Sequence, residues 1–273
     1  MPVTKLLLRL FQLRADARKF AVARITLAIC SIGFAWENWR LLSRLLNPII
    51  VQLPYFEWVP RLPVRILPFF IGLWVIASGA FLIGWMTRIA GCIITCLAGY
   101  TLLLDQQLYS NHLYLVFLIV LLLTVADSGA ALSVDSFQKS RSNTVPGWPA
   151  LLLMLQVSLV YGFSALAKLT PQFLSGEALS QTLKRQSWFA FPDSWRSAAL
   201  LTTLAISAIV LELFIAFGLW TRRLRWAAVI AGIALHGFIL VALDSSRLSL
   251  GLFALEMFAL YPLFFRGLQR AAD

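Results

Sequence analysis

The sequence predicts an all-α membrane protein: a polytopic bundle of about eight transmembrane helices, preceded by a helix lying on the membrane surface. Three observations carry that reading. Of the 273 residues, 60% are hydrophobic and mean hydropathy is +0.82, more apolar surface than one soluble core of this length can hide. Only 13% are charged, against about 25% in ordinary soluble domains. The apolar residues fall into separate runs, several near the roughly 20 residues of a helical crossing. In lipid only helices and closed barrels satisfy every backbone polar group. Disorder, collagen-like repeats and a disulfide scaffold are excluded by the same composition, with 15 Gly, 11 Pro and 3 Cys.

The elements follow in order. In residues 1–19, the stretch Lys5–Arg14 interrupts apolar residues with charge every few positions. It has no small-residue cleavage site, and it predicts an amphipathic interfacial helix. Eight apolar segments follow: Phe20–Trp36, Leu67–Trp85, Ile89–Leu104, Leu113–Ala126, Trp148–Leu166, Ala198–Trp220, Trp226–Leu243 and Leu248–Phe265. Trp and Tyr at many of their ends act as interface anchors. The fourth segment is short, so its polar shoulders belong inside the bundle. Residues 20–266 read as one membrane domain without internal repeats, and no soluble C-terminal domain is expected. Two connections are longer. Asp127–Gly147 contains Ser, Lys and a Pro146-Gly147 turn. Thr170–Arg196 is polar but rich in Phe and Trp, as an interfacial segment is.

The net charge of +11 and pI near 10.2 would suggest nucleic acid in a soluble protein. In a membrane protein, Lys and Arg collect at the edges to set topology and meet anionic lipid, so no nucleic-acid partner is expected. With eight spans, 13 Lys and Arg fall on the N-terminal side and 9 on the other, with Arg24 inside the first span. That bias predicts both termini in the cytoplasm.

Cys92 and Cys96 lie four apart and share a helix face, as small packing residues do. HExxH, paired CxxC, a carboxylate cluster, a Walker motif and a Rossmann glycine pattern are all missing from the sequence. Metal hydrolase, NTPase and nicotinamide enzyme are therefore not expected, and neither is a metal.

An ionisable group at mid-span costs about 2.5–3.5 kcal/mol even on the gentlest scale. Both histidines occupy span positions: His112 opens the fourth, in Tyr109-Ser-Asn-His-Leu-Tyr114, and His236 lies inside the seventh. Lys168 ends the fifth, and Asp244, Ser245, Ser246 and Arg247 break the chain between the last two. In the eight-span arrangement all of these approach one non-cytoplasmic face. A plainer reading stands beside each at this point. A lysine at a span end snorkels to headgroups, and a span histidine packs against its neighbours. Asn111 caps a helix, and Arg88 anchors topology. Glu212 and Glu256 are mid-span carboxylates; Glu212 bonds a neighbouring helix, with the arginines at 222–225 in reach.

The ordered series of these stretches resembles the membrane domain of the vitamin K-dependent gamma-carboxylases, the HTTM domain that bacterial proteins share. The stretches are Gly84-Trp-Met-Thr-Arg-Ile89, Leu104-Asp105, Ser110-Asn-His-Leu-Tyr-Leu115 and Ser133-Val-Asp135. Then come Tyr161 through Lys168-Leu169 with Phe173 and Gly176, His236, Ser249-Leu-Gly-Leu-Phe253 and Pro262-Leu-Phe-Phe265. The similarity runs from about Phe20 to the C-terminus.

The resemblance implies roles. Asn111 and His112 match an Asn-His pair that serves the reduced quinone site. Lys168 matches the proposed base that deprotonates the hydroquinone. His236 lines the same cavity, and Tyr114, beside the Asn-His pair, joins the quinone-binding set. Arg88 and Asp105 are structural. The implied cofactors are a reduced quinone of the vitamin K or menaquinol type, with O2 and CO2, and the family chemistry couples quinol oxygenation to carboxylation of peptide glutamate.

That chemistry suits a membrane. A glutamate γ-hydrogen is too weak an acid for any side chain, and a strong alkoxide base survives only where water is excluded. An amine in a low-dielectric pocket is favoured in its neutral form and can take a phenolic proton. The carboxylases carry a large soluble region after the membrane domain, whereas this sequence ends at Asp273. The propeptide-binding surface is thus expected to be absent or supplied by a soluble partner protein. The leading expectation is a bacterial inner-membrane enzyme modifying a secreted peptide or small substrate at the outer face, in contact with lipid and an isoprenoid quinone. The alternative is a non-catalytic factor for maturation, export or immunity of a secreted peptide. A transporter is the weakest reading, because inverted repeats and paired broken helices are missing.

Overall fold

The computed structural model describes residues 10–47, 49–138, 143–186, 197–242, 247–265 and 269–270. The chain divides into two compact units. Residues 1–153 with 266–273 form the first and residues 154–265 the second.

The first unit opens on a short strand, β1 (Leu13–Asp16), and a 29-residue helix, α1 (Ala17–Leu45). The strand corrects the expected interfacial helix, which was to run through Arg14; residues 1–9 of that stretch lie outside the described residues. Leu13 and Arg14 pair with Arg270 and Gln269 on one side, and Arg14–Asp16 pair with residues 144–146 on the other. Backbone pairing across the chain outweighs local helical periodicity here. Asp16 then starts α1 by accepting the Arg18 amide at 2.9 Å, as N-cap carboxylates do.

Three more apolar helices follow: α2 (Leu67–Ile83), α3 (Thr87–Leu104) and α4 (Asn111–Val125). α1 packs along α2, and α3 along α4. Ser31 of α1 meets Ser78 of α2 Oγ to Oγ at 2.8 Å, and the Trp74 indole donates to Ser31 at 2.9 Å. The expected loop after α4 contains a short helix, α5 (Val134–Gln138), and β2 (Thr144–Pro146), the other edge partner of β1.

Two polar knots tie this unit. At one, Gly84 ends α2 in the left-handed region (φ 70°), which costs glycine nothing. Asp135 then accepts from the Met86 amide (2.9 Å), the Thr87 amide (2.8 Å) and the Thr87 hydroxyl (2.7 Å). Its carboxylate thus sits on the N-terminus of α3, where unpaired amides and the helix dipole favour an anion. Arg24, fully buried in α1, donates to the carbonyls of Ser128 (2.7 Å), Ala131 (3.3 Å) and Leu132 (2.5 Å). That explains an arginine inside an apolar helix: it satisfies loop carbonyls that burial would otherwise orphan. Arg88 pairs with Asp127 at 3.5 Å with both side chains exposed.

At the second knot, Asp105 accepts from the Leu53 amide (2.7 Å) and the Gln107 amide (2.8 Å), and the Gln106 amide donates to Leu53 O at 2.9 Å. The segment after α1 is thereby fastened to the turn between α3 and α4.

Helix α6 (Trp148–Ala167) begins in the first unit and continues into the second, because the division falls after Leu153. In the second unit it is followed by α7 (Pro171–Leu174) and α8 (Glu177–Gln186). The longer connection after Lys168 is therefore helical as far as Gln186, and residues 187–196 lie outside the described residues. Then come α9 (Ala198–Gly218), α10 (Arg225–Ala242) and α11 (Arg247–Leu260), the last ending in a 3-10 turn over Tyr261–Phe264. The short strand β3 (Gln269–Arg270) belongs to the first unit.

Each of the eight predicted segments is helical. Five helices are long and apolar enough to cross a membrane: residues 17–45, 64–83, 87–104, 148–167 and 198–218. The helices at 111–125, 225–241 and 248–264 are apolar but shorter. Large apolar side chains such as Phe69, Ile76, Phe163, Phe217 and Ile230 point outward. Lipid, which replaces water as solvent around such helices, removes the penalty of exposing them. Cys92 and Cys96 also lie on an exposed face of α3 instead of packing internally.

Candidate functional site

In the second unit, α6 carries a polar stripe. Ser158, Tyr161, Ser164 and Lys168 recur at intervals of three, three and four residues, which places them on one helix face. Each finds a partner on another element. Ser158 donates to the Ala216 carbonyl at 3.0 Å and accepts from the Trp220 indole at 2.7 Å. Tyr161 meets His236 Nε2 of α10 at 2.9 Å and the Tyr261 hydroxyl at 2.5 Å. Ser164 donates to Glu212 Oε1 of α9 at 2.9 Å.

Lys168 completes the stripe. Its Nζ lies 2.8 Å from Glu212 Oε1 and 2.9 Å from Oε2, 2.5 Å from Ser164 Oγ and 3.3 Å from the Ser164 carbonyl. It stands 5.9 Å from the centroid of the Phe173 ring. The Lys168 side chain is 27% exposed, and that of Glu212 is 7% exposed. Sequence reasoning offered the arginines at 222–225 to Glu212; the carboxylate pairs with Lys168 instead. The register explains why. Ser158 opposite Ala216 and Ser164 opposite Glu212 set α6 and α9 antiparallel, so the end of α6 meets α9 about four turns in from Ala198. Lys168 lies beside the interior of α9, where snorkelling to headgroups does not account for it. The amine is not isolated either: it is held in an ion pair.

His236 is 3% exposed. Its ring packs edge-on against Phe253 (5.4 Å) and Phe258 (5.5 Å), and its Nε2 faces the Tyr161 hydroxyl. His236 and Lys168 therefore hang on one stripe of α6, with Tyr161 and Lys168 about 10 Å apart along the helix.

His112, Asn111 and Tyr114 belong to the first unit, in the opening turn of α4. Ser110, not Asn111, caps that helix: its hydroxyl accepts the His112 amide at 3.3 Å. His112 is half-buried, while Asn111 is exposed and Tyr114 is 42% exposed. Tyr114 lies 6.3 Å from the Phe117 ring in a stacked arrangement and 6.3 Å from Tyr109. The polar break at Asp244, Ser245 and Ser246 lies outside the described residues.

Sequence reasoning missed Tyr161, Ser164 and Tyr261 as partners. The spacing of the α6 stripe was a usable signal for the first two. Nothing local marks Tyr261, which reaches Tyr161 across 100 residues of sequence. Among the described residues, no group of three or more His, Cys, Asp or Glu could hold a metal ion.

The family model for the HTTM domain matches residues 13–267. The chain belongs to the HTTM domain family. No solved structure matches it. The HTTM match covers residues of both units, including the whole polar stripe of α6 and its partners. With the apolar helices, it makes the chain a membrane protein of the carboxylase-like family.

Proposed function

We propose that this HTTM protein is a quinol-dependent enzyme of a bacterial inner membrane, modifying a peptide or small substrate at the outer face. The observation that carries this reading is the ion pair of Lys168 and Glu212. Two charged groups stand inside an apolar helix bundle, where they are costly, and the amine keeps access to its surroundings.

The donor set fits a reduced quinone. In the second unit the Lys168 amine offers hydrogen bonds to its oxygens, and the Phe173 ring offers an apolar face. Lys168 is the catalytic base and His236 a polar wall of that site, while for Asn111, His112 and Tyr114, in the first unit, the quinone-binding role is the one the family resemblance implies. When bound with O2, the quinol supplies the strong base that a glutamate γ-C–H demands. Low dielectric around Lys168 strengthens its hold on a developing oxyanion. CO2 is the co-substrate if the modification is carboxylation.

The test is menaquinol epoxidation by the purified protein and its Lys168→Ala variant. Turnover in wild type and a loss of about 100-fold or more in the variant is expected, as for removal of a general base. Equal turnover, or none in wild type with several quinols, removes the reading.

One observation favours the alternative, a non-catalytic factor for maturation, export or immunity of a secreted peptide. Lys168 is engaged by Ser164 and Glu212, as a lysine that merely holds two helices would be. A peptide that co-purifies equally with wild type and with a Lys168→Ala, His112→Ala double variant would support it.

A further inference from the structure

We propose that Glu212 is the positioning residue that makes Lys168 a base: the carboxylate holds the proton that the amine must shed, with Ser164 hydrogen-bonded to both. This inference rests on the quinol-enzyme reading and deepens it.

The argument starts from hydrogen-bond capacity. An ammonium has three donors and no lone pair. At Lys168 those donors have three oxygen sources within reach: the Glu212 carboxylate at 2.8 and 2.9 Å, Ser164 Oγ at 2.5 Å and the Ser164 carbonyl at 3.3 Å. Ser164 has one proton, and its hydroxyl also faces Glu212 Oε1 at 2.9 Å. The consistent assignment has Lys168 donating to Ser164 and Ser164 donating to Glu212. As an ammonium so placed, Lys168 cannot accept anything.

One transfer changes that. A proton moving from Nζ to Oε1 across 2.8 Å turns the ion pair into a neutral amine beside a carboxylic acid. The amine lone pair then takes the proton of an acidic hydroxyl of the phenol class. The substrate O–H bond breaks and an N–H bond forms. The pair gains one proton in total, now on Glu212, and the new oxyanion lies against the Lys168 ammonium. No electron is exchanged in this step. Among the described residues, the hydrogen bonds of the Glu212 carboxylate run to Ser164 and Lys168.

A structural salt bridge and this acid–base pair differ in sign on one substitution. If Glu212 only pins a charged lysine, Glu212→Gln frees the amine and quinol turnover holds or rises. If Glu212 stores the proton, Glu212→Gln loses about 100-fold in turnover, the scale of a general acid–base group. Glu212→Asp keeps the charge and guards against misfolding; it is expected to retain measurable turnover above that of Glu212→Gln. Because the two residues act as a unit, Lys168→Ala with Glu212→Gln should lose no more than Lys168→Ala alone.

The readout independent of activity is infrared difference spectroscopy of the full-length protein with menadiol against menadione. A protonated-carboxyl band that appears with menadiol in wild type and vanishes in Glu212→Gln supports the proposal. Turnover in wild type without that band, or undiminished turnover in Glu212→Gln, overturns it while leaving the quinol reading intact. Absence of quinol binding and turnover in wild type overturns the quinol reading and this proposal with it.

Discussion

Arg24 illustrates what single residues do in this protein. Its guanidinium gathers three carbonyls of residues 128–132, a stretch in which Asp127 (φ 57°) and Leu132 (φ 47°) adopt left-handed backbone. Hydrogen bonds to a charged group contribute about 1.5–3 kcal/mol each. Arg24→Leu is therefore expected to lower unfolding free energy by at least about 3 kcal/mol, read as a drop in the thermal midpoint in detergent. Arg24→Lys should recover only part, because a point charge cannot fork across three acceptors. Glu256 presents the opposite case. It is fully buried, and neither carboxyl oxygen has a hydrogen-bond partner among the described residues. An unsatisfied buried polar group costs about 1–3 kcal/mol, so Glu256→Met should raise the midpoint. A fall would mean that the carboxyl group is satisfied after all. The sequence marked both residues as anomalies inside apolar spans. It could not supply their environments, which come from chain 104 or more positions away for Arg24 and from burial for Glu256.

At the scale of elements, the turn from α2 to α3 is the best-specified joint. Gly84 supplies the left-handed residue and Asp135 the anion at the following helix N-terminus. Asp135→Ala should cost about 0.5–2 kcal/mol, the range for losing an N-cap. Gly84→Ala should cost about 1 kcal/mol or more, since a side chain there is strained and meets Ser133. Both are measured as unfolding midpoints of the first unit's helices. The helices themselves were legible, because long apolar runs leave the backbone no other way to satisfy itself in lipid. The strand at Leu13–Asp16 was not, since its partners at 144–146 and 269–270 are distant in sequence. The α6 stripe lay between these cases. Its spacing was visible, but which element each side chain would meet was not, and so Glu212 was matched to the wrong cations.

For the whole molecule, the charge bias of 13 against 9 makes a topological prediction. A fluorescent protein fused after Asp273 should mature and fluoresce as cytoplasmic fusions do, and a phosphatase fused there should stay inactive; the reverse pattern would invert the arrangement. The same arrangement sets where the proposed chemistry acts, because Lys168 ends a helix that starts on the cytoplasmic side in that count.

The sequence by itself determined that this chain is a helical membrane protein, since composition and apolar run length are properties of the solvent a chain can tolerate and need no folding to read; the HTTM resemblance came from its ordered motifs instead. It also marked Lys168 and His236 as costly groups in need of a reason. Only the tertiary structure decided what they touch: Glu212 and Ser164 for the lysine, Tyr161 for the histidine. Those pairings depend on the register of antiparallel helices separated by tens of residues. A shift of one helical turn would hand each side chain a different neighbour, and hydropathy is nearly the same at either setting.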